Sequence, residues 1–414
     1  MEKFICIHGH FYQPPRENAW LESVELQDSA YPYHDWNERI TAQCYATMAT
    51  SRLLDEKGLI REITNNYARI SFNFGPTLLT WLERHAPAVY ASVLTADQES
   101  RQRFSGHGAA IAQAYNHMIL PLANRRDKET QVVWGIRDFE RRFQRQPEGM
   151  WLPETAVDVE TLDVLAEQGI GFTILSPRQA RRIRRLKDGN WQEVGSGSVD
   201  PSRPYHVQLP SGRHIAVFFY DDPISRAVAF EGLLADGDRF AHRLMDGFDE
   251  MRQDTQLVNI ATDGESYGHH FHKGNMALAF ALDTIESRRL ARLTVYGEFL
   301  ELHPPEWEVE IHEKTSWSCA HGIDRWRKDC GCNSGGHPGW RQTWRAPLRE
   351  ALDWLRDALA PAYEEKMTSL GIDPWAARNG YIRVIMEREA SAVEAFLAGQ
   401  TRQLLSAEDK TLAL

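Results

Sequence analysis

The sequence predicts an α/β fold in which parallel strands alternate with crossover helices. Short apolar runs alternate along the chain with longer segments of helical period. The runs are nearly continuous in Ile, Val, Leu and Phe, which is typical of strands buried on both faces. Polar residues directly follow the runs, at the strand end where α/β barrels and open α/β sheets build active sites. Agreement among these polar ends favours an enzyme over a scaffold.

Six strands are predicted in chain order. They cover residues 4–7, 69–73, 149–152, 171–175, 215–219 and 257–261. Helical patterns lie between or after them at residues 40–54, 131–143, 159–168, 239–249 and 275–288. We expect residues 1–312 to form one catalytic α/β domain.

The pattern changes in residues 313–414. Residues 317–340 are rich in Gly, Cys, Trp and His and predict an irregular ordered segment. Two long amphipathic patterns follow, at residues 347–367 and 383–405, separated by a Gly-x-x-Pro turn. We therefore expect an all-helical C-terminal region.

Composition narrows the class of protein. The 414 residues carry a net charge of -11, so no basic field is present to attract nucleic acid. No apolar run is long enough to span a membrane, and no signal peptide is visible. Five Cys, an odd number, indicate the reducing cytoplasm. The 13 Trp are more than a core of this size needs, and sugar rings stack on such side chains.

Two carboxylates stand at predicted strand ends, Glu154 and Asp263. Such positions converge at one end of an α/β barrel. Cleavage of a glycosidic bond with retention of configuration needs two carboxyl groups about 5–5.5 Å apart. Both residues also have a purely structural interpretation. Glu154 would then be an acidic residue in the first turn of a helix, and Asp263 would be a turn residue.

Histidines near the same strand ends have two interpretations. His8 and His10 share one side of an extended strand, and His269 follows Asp263 closely. With Asp263 they have the ligand types of a metal site, but imidazoles also bond sugar hydroxyls. Their spacing leaves both interpretations open.

A third group has the ligand types of a zinc site. Its members are Cys319, His321, Cys330 and Cys332, with His337 nearby. The spacing differs from the usual C-x-x-C pair, so reduced thiols in a packed loop are the preferred interpretation and these residues are weak metal candidates.

Three ordered motifs resemble glycoside hydrolase family 57, which acts on α-glucans and includes amylases, 4-α-glucanotransferases and branching enzymes. They are His8-Gly9-His10 with Gln13-Pro14, Gly149-x-Trp151-Leu152-Pro153-Glu154, and Thr262-Asp263-Gly264-Glu265-x-Tyr267-Gly268-His269. A weaker middle motif runs from His107-Gly108 to Asn116-His117 and Pro121. The resemblance covers roughly residues 1–320, and from Thr315 on the chain resembles an uncharacterised branch of the family with a helical domain, shortened here.

The resemblance implies an incomplete (β/α)7 barrel followed by a helical region, and retaining chemistry that needs neither cofactor nor metal. Glu154 matches the nucleophile, and Asp263 matches the general acid/base. In that role Asp263 needs a raised pKa, which burial or the nearby carboxyl group of Glu265 would supply. The expected substrate-binding residues are His8, His10, His117, Trp151, Glu265, His269 and Trp317. The expected partner is an oligo- or polysaccharide.

Two departures from the family pattern bear on the substrate. Residues Phe11 and Tyr12 lengthen the spacing between His10 and Gln13, and the stretch 33–39 lies outside the general signature. Two alternatives stay open. One is a metal-dependent carbohydrate deacetylase or α-mannosidase-like enzyme with a divalent ion at His8, His10 and Asp263. The other is a non-catalytic glycan-binding protein.

Overall fold

The computed structural model describes residues 2–187, 189–195, 197–333, 335–401 and 405–413. None of the helices in these ranges combines the length and apolar character that a membrane crossing requires. The helical pattern predicted over residues 383–405 includes residues 402–404. Those positions lie outside the described residues.

The described strands are numbered in chain order. They are β1 (Lys3–Phe11), β2 (Glu17–Asn18), β3 (Ser23–Val24), β4 (Ser51–Leu54), β5 (Ile60–Thr64), β6 (Ser71–Phe74), β7 (Ala112–Gln113), β8 (Met150–Trp151), β9 (Phe172–Leu175), β10 (Ala180–Arg185), β11 (Gln192–Glu193), β12 (Pro204–Gln208), β13 (His214–Phe219), β14 (Gln256–Asp263), β15 (Arg292–Leu293) and β16 (Trp307–Ile311).

The described α-helices are numbered in the same way. They are α1 (Trp36–Ile40), α2 (Ala46–Ala49), α3 (Pro76–His85), α4 (Pro87–Arg103), α5 (Arg125–Phe143), α6 (Val159–Glu167), α7 (Asp222–Phe230), α8 (Gly237–Met245), α9 (Gly274–Ser287), α10 (Tyr296–Leu302), α11 (Arg345–Ser369), α12 (Pro374–Gly380), α13 (Ile382–Glu387), α14 (Ala390–Gln400) and α15 (Ala407–Leu412). A π-helical turn, Thr41–Tyr45, joins α1 to α2.

Seven parallel strands are neighbours in the order β14, β1, β6, β7, β8, β9, β13, and the two-residue strand β15 also pairs in parallel with the start of β1. The pairs β14–β1, β1–β6, β7–β8 and β9–β13 are parallel ladders. Single parallel bridges, Phe72 to Ala110 and Gly149 to Phe172, connect the remaining neighbours. Beyond β13, the strands β12, β16, β10 and β11 extend the sheet with mostly antiparallel pairing.

Strand periodicity explains why polar side chains meet at one end of these strands. Along β1, Phe4 and Cys6 pack in a small apolar cluster, and period two puts His8 and His10 on the same face. Leu257 and Ala261 of β14 belong to that cluster too, and Asp263 continues the alternation. The opposite face of β1 packs against the larger core. The prediction that His8 and His10 share one face of a strand is therefore confirmed.

All six predicted strands are present, and four of the five helical patterns match α5, α6, α8 and α9. The helix predicted over residues 40–54 was wrong at its end, because residues 51–54 form β4 and pair with β5. The seventh parallel strand, β7, was missed since two residues after a run of small Ala side chains give no strand signal.

The C-terminal region is helical, as expected, but the second pattern breaks into α13 and α14, and a further short helix, α12, precedes it. These helices enclose a small core with the end of α11. Most of α11 is solvent-accessible, and Met367 is its one buried residue among those described.

Candidate active site

The ends of β8, β13 and β14 open into one cavity of about 660 Å³. Its lining brings together residues that are far apart in sequence. They are Glu154, Arg178, Tyr220, Asp222, Ser225, Arg226, Ala229, Phe230, Ala261, Thr262, Asp263, Trp317 and Ser318. Both predicted carboxylates and one predicted aromatic residue therefore meet there.

Glu154 stands on a tight turn just after β8. Pro153–Thr155 form a 3-10 turn in which Glu154 has a φ of 59° and Thr155 a φ of 49°. Two consecutive non-glycine residues in the left-handed region store strain, which is found mostly at functional sites. The turn points the half-buried Glu154 side chain into the cavity.

Trp317 fixes the Glu154 carboxylate. Its indole Nε1–H donates to Glu154 Oε2 at 3.0 Å, and its backbone N–H donates to the Glu154 carbonyl at 3.0 Å. A donor to a carboxylate stabilises the negative charge and orients the oxygen.

Asp263 is the last residue of β14 and pairs in register with His10 of β1. Its side chain is open to the cavity, while protein surrounds it on the other sides. Burial, and then the negative charge of Glu154, raise the pKa of the Asp263 carboxyl to about 6. Within the described part of the chain, no hydrogen bond is recorded to this carboxyl group.

Glu265 lies behind Asp263 and is buried. Its Oε1 accepts hydrogen bonds from the Tyr45 hydroxyl at 2.6 Å and from the Tyr12 backbone N–H at 3.2 Å. Burial, and then the charge of Asp263, raise the pKa of Glu265 to about 8. Glu265 is thus mainly protonated at neutral pH and anchors the turn after β14 rather than facing the cavity.

The histidines of β1 belong to a buried polar network. His8 bonds Ser71 Oγ at 3.0 Å and Asn73 Oδ1 at 3.1 Å, and its ring is fully buried. His10 contacts Asn73 through Nδ1 and His117 through Nε2, the latter at 3.2 Å. Burial lowers the pKa of His8 to about 3 and that of His10 well below its usual value, so both rings are neutral.

His117 is the network's outer member. Its ring stacks on Tyr12 with centroids 3.7 Å apart. Burial lowers the pKa of His117 to about 4, although the charge of Glu154 acts in the opposite direction. His117 and Tyr12 therefore lie within electrostatic reach of Glu154, beside the cavity.

The two tryptophans differ in their exposure. Trp151 is fully buried and stacks on both His8 and His10, with centroids 5.0 Å away in each case. A ring without exposed surface offers no wall to a sugar, so Trp151 supports the network rather than lining the cavity. Trp317 lies edge-on to Trp151 at 5.2 Å and does line the cavity.

His269 lies apart from the cavity lining of the described residues. Its Nδ1 contacts Gln43 Oε1 at 2.7 Å, and its ring meets Trp36 edge-on at 5.8 Å. Trp36 belongs to the stretch 33–39, one of the two departures noted in the sequence.

Sequence reasoning missed four residues of this region: Tyr12, Tyr45, Asn73 and Tyr220. Asn73 and Tyr220 stand in the polar strand ends that the sequence displays, so that signal was available. Tyr12 is one of the two residues that lengthen the first motif. Tyr45 gives no local signal, since it reaches Glu265 from a helix 220 residues away in sequence.

The Cys and His residues of the irregular segment come together away from these carboxylates. Cys319, His321, Cys330 and Cys332 place one ligand atom each within 4.8 Å of one another. Among the described residues, no second group of three or more His, Cys, Asp or Glu side chains brings its ligand atoms this close together.

Comparisons with known proteins agree with this architecture. The sequence model of glycosyl hydrolase family 57 matches residues 28–312. A second model, a domain of unknown function (DUF3536), matches residues 340–414. The first match covers more than half of the chain.

Individual relatives are distant. Alpha-amylase 1 of Dictyoglomus thermophilum is 24% identical over 199 residues, which are 48% of this chain and 26% of that protein. The exo-type maltose-forming amylase of Pyrococcus sp. ST04 superposes with a TM-score of 0.69 at 17% identity, covering 100% of this chain and 71% of that one. The branching enzyme of Pyrococcus horikoshii gives a TM-score of 0.58 at 16% identity, covering 100% and 94%. The chain spans 26–37% of the length of the curated relatives that it matches.

Proposed function

The chain belongs to glycosyl hydrolase family 57, and from that premise we propose that it is a retaining enzyme that cleaves or transfers α-glucosidic bonds. One observation carries the proposal. Glu154 and Asp263 line one cavity, close enough for the charge of Glu154 to raise the pKa of Asp263. A pair of nearby carboxyls in different environments is the arrangement that retaining glycosidases use.

Glu154 is the proposed nucleophile. Its carboxylate would attack the anomeric carbon and form a glycosyl-enzyme intermediate. The hydrogen bond from Trp317 and the strained turn support this role, because both restrict the carboxylate to one orientation.

Asp263 is the proposed general acid and base. With a pKa near 6, a fraction of its carboxyl is protonated at neutral pH and can donate to the leaving oxygen. The resulting carboxylate then takes a proton from water, which gives hydrolysis, or from an acceptor sugar, which gives transfer.

The surrounding side chains form the proposed sugar-binding surface. Trp317 and Tyr220 line the cavity, and His117 and Tyr12 lie within electrostatic reach of Glu154. We assign His10 and His8 a positioning role behind that surface. For His269 the proposed contact is with a sugar further from the scissile bond, since its partner is Trp36.

An α-glucan is the proposed substrate class. The support is the family, whose matching members include alpha-amylases and a 4-alpha-glucanotransferase from Thermococcus litoralis. We also propose that the seven parallel strands form an incomplete (β/α)7 barrel, with a catalytic domain at residues 1–312 and a separate region at 313–414. A cytoplasmic location is proposed from the five unpaired thiols.

The geometry disfavours a metal ion at His8, His10 and Asp263. Both ring nitrogens of His8 bond Ser71 and Asn73, and both of His10 contact Asn73 and His117. Coordination would break those bonds inside a buried network. The non-catalytic alternative predicts carboxyls too far apart to cooperate, whereas the Asp263 pKa responds to Glu154.

Product analysis tests the proposal. The wild-type protein is incubated with maltoheptaose and with amylose, beside Glu154→Gln and the control Glu62→Gln, an exposed carboxyl on β5. We expect new oligosaccharides from the wild type and the control, and a loss of about 10⁴-fold or more in Glu154→Gln. Shorter products alone indicate hydrolysis, and products longer than maltoheptaose indicate transfer.

Equal turnover by Glu154→Gln and wild type would remove Glu154 from the mechanism. Unchanged glucans in every sample would contradict an α-glucan substrate.

A further inference from the structure

The irregular segment 313–333 holds one wall of the cavity. Its first residues bond to the Glu154 turn: the Lys314 N–H donates to Val157 O at 2.8 Å, and the Val157 N–H donates to Thr315 O at 3.1 Å. Trp317 then makes its two bonds to Glu154. The position of Trp317 therefore depends on how firmly this segment is held.

Apolar burial contributes little to holding it. Between residues 313 and 333 the described buried residues are Ser316, Cys319 and Ile323. The regular structure assigned there is one 3-10 turn, Asp324–Trp326. Segments with so small a core are usually stapled by a disulfide or a structural metal.

Four side chains in this segment have the spacing of a tetrahedral metal site. Cys319 Sγ lies 3.9 Å from Cys330 Sγ and 3.8 Å from Cys332 Sγ. His321 Nδ1 lies 3.8 Å from Cys319 Sγ and 3.6 Å from Cys332 Sγ. A zinc tetrahedron with Zn–S near 2.3 Å and Zn–N near 2.1 Å puts two sulfurs about 3.8 Å apart and sulfur and nitrogen about 3.6 Å apart.

The backbone is built to present these ligands. Gly331, with a φ of 86°, separates Cys330 from Cys332 and allows the sharp turn that points both sulfurs inward. Gly322 follows His321 with a φ of 71°, and a Cβ there would lie 2.2 Å from the Lys314 carbonyl oxygen. The same glycine thus lets the ligand loop pack closely against Lys314, in the extended stretch that leads to Trp317.

We propose that Cys319, His321, Cys330 and Cys332 bind one Zn²⁺ in a structural site that holds the Trp317 segment against the Glu154 turn. Three thiolates and one imidazole are a common ligand set of structural zinc. Four protein ligands leave no open position, so the ion takes no part in chemistry on a substrate. Metal binding at these residues is independent of the proposed glycosidase activity.

Metal analysis of the full chain tests the site. We expect the purified wild type to hold one zinc ion per chain, and Cys330→Ser and Cys332→Ser to lose it. His337→Ala is the matched control, since His337 follows the segment closely in sequence but stacks on Trp340 and is not part of the cluster. Zinc retained in both cysteine variants would overturn the assignment, as would reduced wild type that neither contains nor binds Zn²⁺.

Cobalt substitution gives a second readout in case a cysteine variant fails to fold. Wild-type protein is stripped with a chelator and titrated with Co²⁺. A sulfur-to-cobalt charge-transfer band with tetrahedral d–d bands, saturating at one ion per chain, supports the site. Saturation without the charge-transfer band, or an octahedral spectrum, contradicts it.

Hydrogen exchange tests what the ion holds. Removing zinc should speed amide exchange in peptides covering residues 153–158 and 313–333, and leave peptides from β13 unchanged. Unchanged exchange in the first two regions would show that the ion does not hold the Trp317 segment. This outcome does not depend on whether the protein turns over a glucan.

Discussion

The turn after β8 and the end of β14 each present one carboxyl group to the same cavity, but the two carboxyl groups have different surroundings. The Glu154 carboxylate sits on a left-handed turn and accepts a hydrogen bond from Trp317. Asp263 stands on an ordinary strand end and receives no recorded hydrogen bond within the described part of the chain. Behind Asp263 lies a second buried carboxyl, Glu265.

This difference separates two chemical tasks. A nucleophile works as a charged group in a fixed orientation, which a nearby donor and a rigid turn supply. A general acid must hold a proton near neutral pH, which burial and the neighbouring negative charge supply at Asp263. The proposed mechanism thus assigns different roles to two like carboxyls because the elements that carry them give them different surroundings.

Azide rescue provides the strongest test of this separation. We expect Glu154→Gly and Asp263→Gly to lose about 10⁴-fold or more and about 10²- to 10⁴-fold, respectively, of the activity on maltoheptaose. With α-maltosyl fluoride and azide, Glu154→Gly should form the β-glycosyl azide, because azide enters where the carboxylate attacked. Asp263→Gly should form the α-azide, because azide then attacks the glycosyl-enzyme intermediate. The anomer is read by NMR.

If Glu154→Gly gave the α-azide and Asp263→Gly gave the β-azide, the assignment of nucleophile and acid/base would be reversed. The absence of an azide product from both variants would contradict the retaining mechanism. Folding is expected to survive in Glu154→Gly, since glycine adopts the positive φ of this position without strain. Circular dichroism of both variants checks this.

Trp317→Phe tests whether the hydrogen bond distinguishes Glu154 from Asp263. Phenylalanine keeps a ring beside Trp151 and Tyr220 but removes the donor to the carboxylate. A hydrogen bond to a charged group contributes roughly 1.5–3 kcal/mol, so kcat/KM on maltoheptaose should fall about 10- to 100-fold. Trp340→Phe, an exposed position after that segment, should leave kcat/KM unchanged. An equal loss of kcat/KM in both variants would show that the hydrogen bond from Trp317 to Glu154 has no specific role in catalysis.

The sequence predicted those parts of the site that local pattern determines. Polar residues that directly follow apolar runs located Glu154 and Asp263, and period two placed His8 and His10 on one face. The chemistry of the two carboxyls could be inferred from the family resemblance, but their different surroundings could not.

Long-range packing determines the rest. Trp317 reaches Glu154 across 163 residues of sequence, and the sequence gives no sign that Trp151 is buried beneath it. The Cys330 and Cys332 thiols meet Cys319 only because an irregular segment folds back on itself. Their spacing differs from C-x-x-C, and spacing rules describe ligands on regular turns. The sequence therefore did not predict that these thiols lie close together.

Glu265→Gln tests the buried carboxyl behind Asp263, which has no counterpart at the β8 turn, and its expected effect is on stability rather than on catalysis. Glutamine can accept the same bonds from Tyr45 and Tyr12 through its Oε1. The folded state raises the pKa of Glu265 to about 8, so the folded protein retains a proton that the unfolded chain releases near its ordinary pKa. Wild-type stability should therefore fall relative to the variant as pH rises from 5 to 8, by on the order of a few kcal/mol, and the pH-dependent part of the gap should be smallest at pH 5, close to the ordinary pKa of a glutamate. Melting temperatures at pH 5, 6.5 and 8 measure the gap, with Glu62→Gln on an exposed strand controlling for the replacement itself. A gap that stays constant with pH would mean that burial does not hold a proton on Glu265, and the difference between the two strand ends would then rest on Asp263 alone.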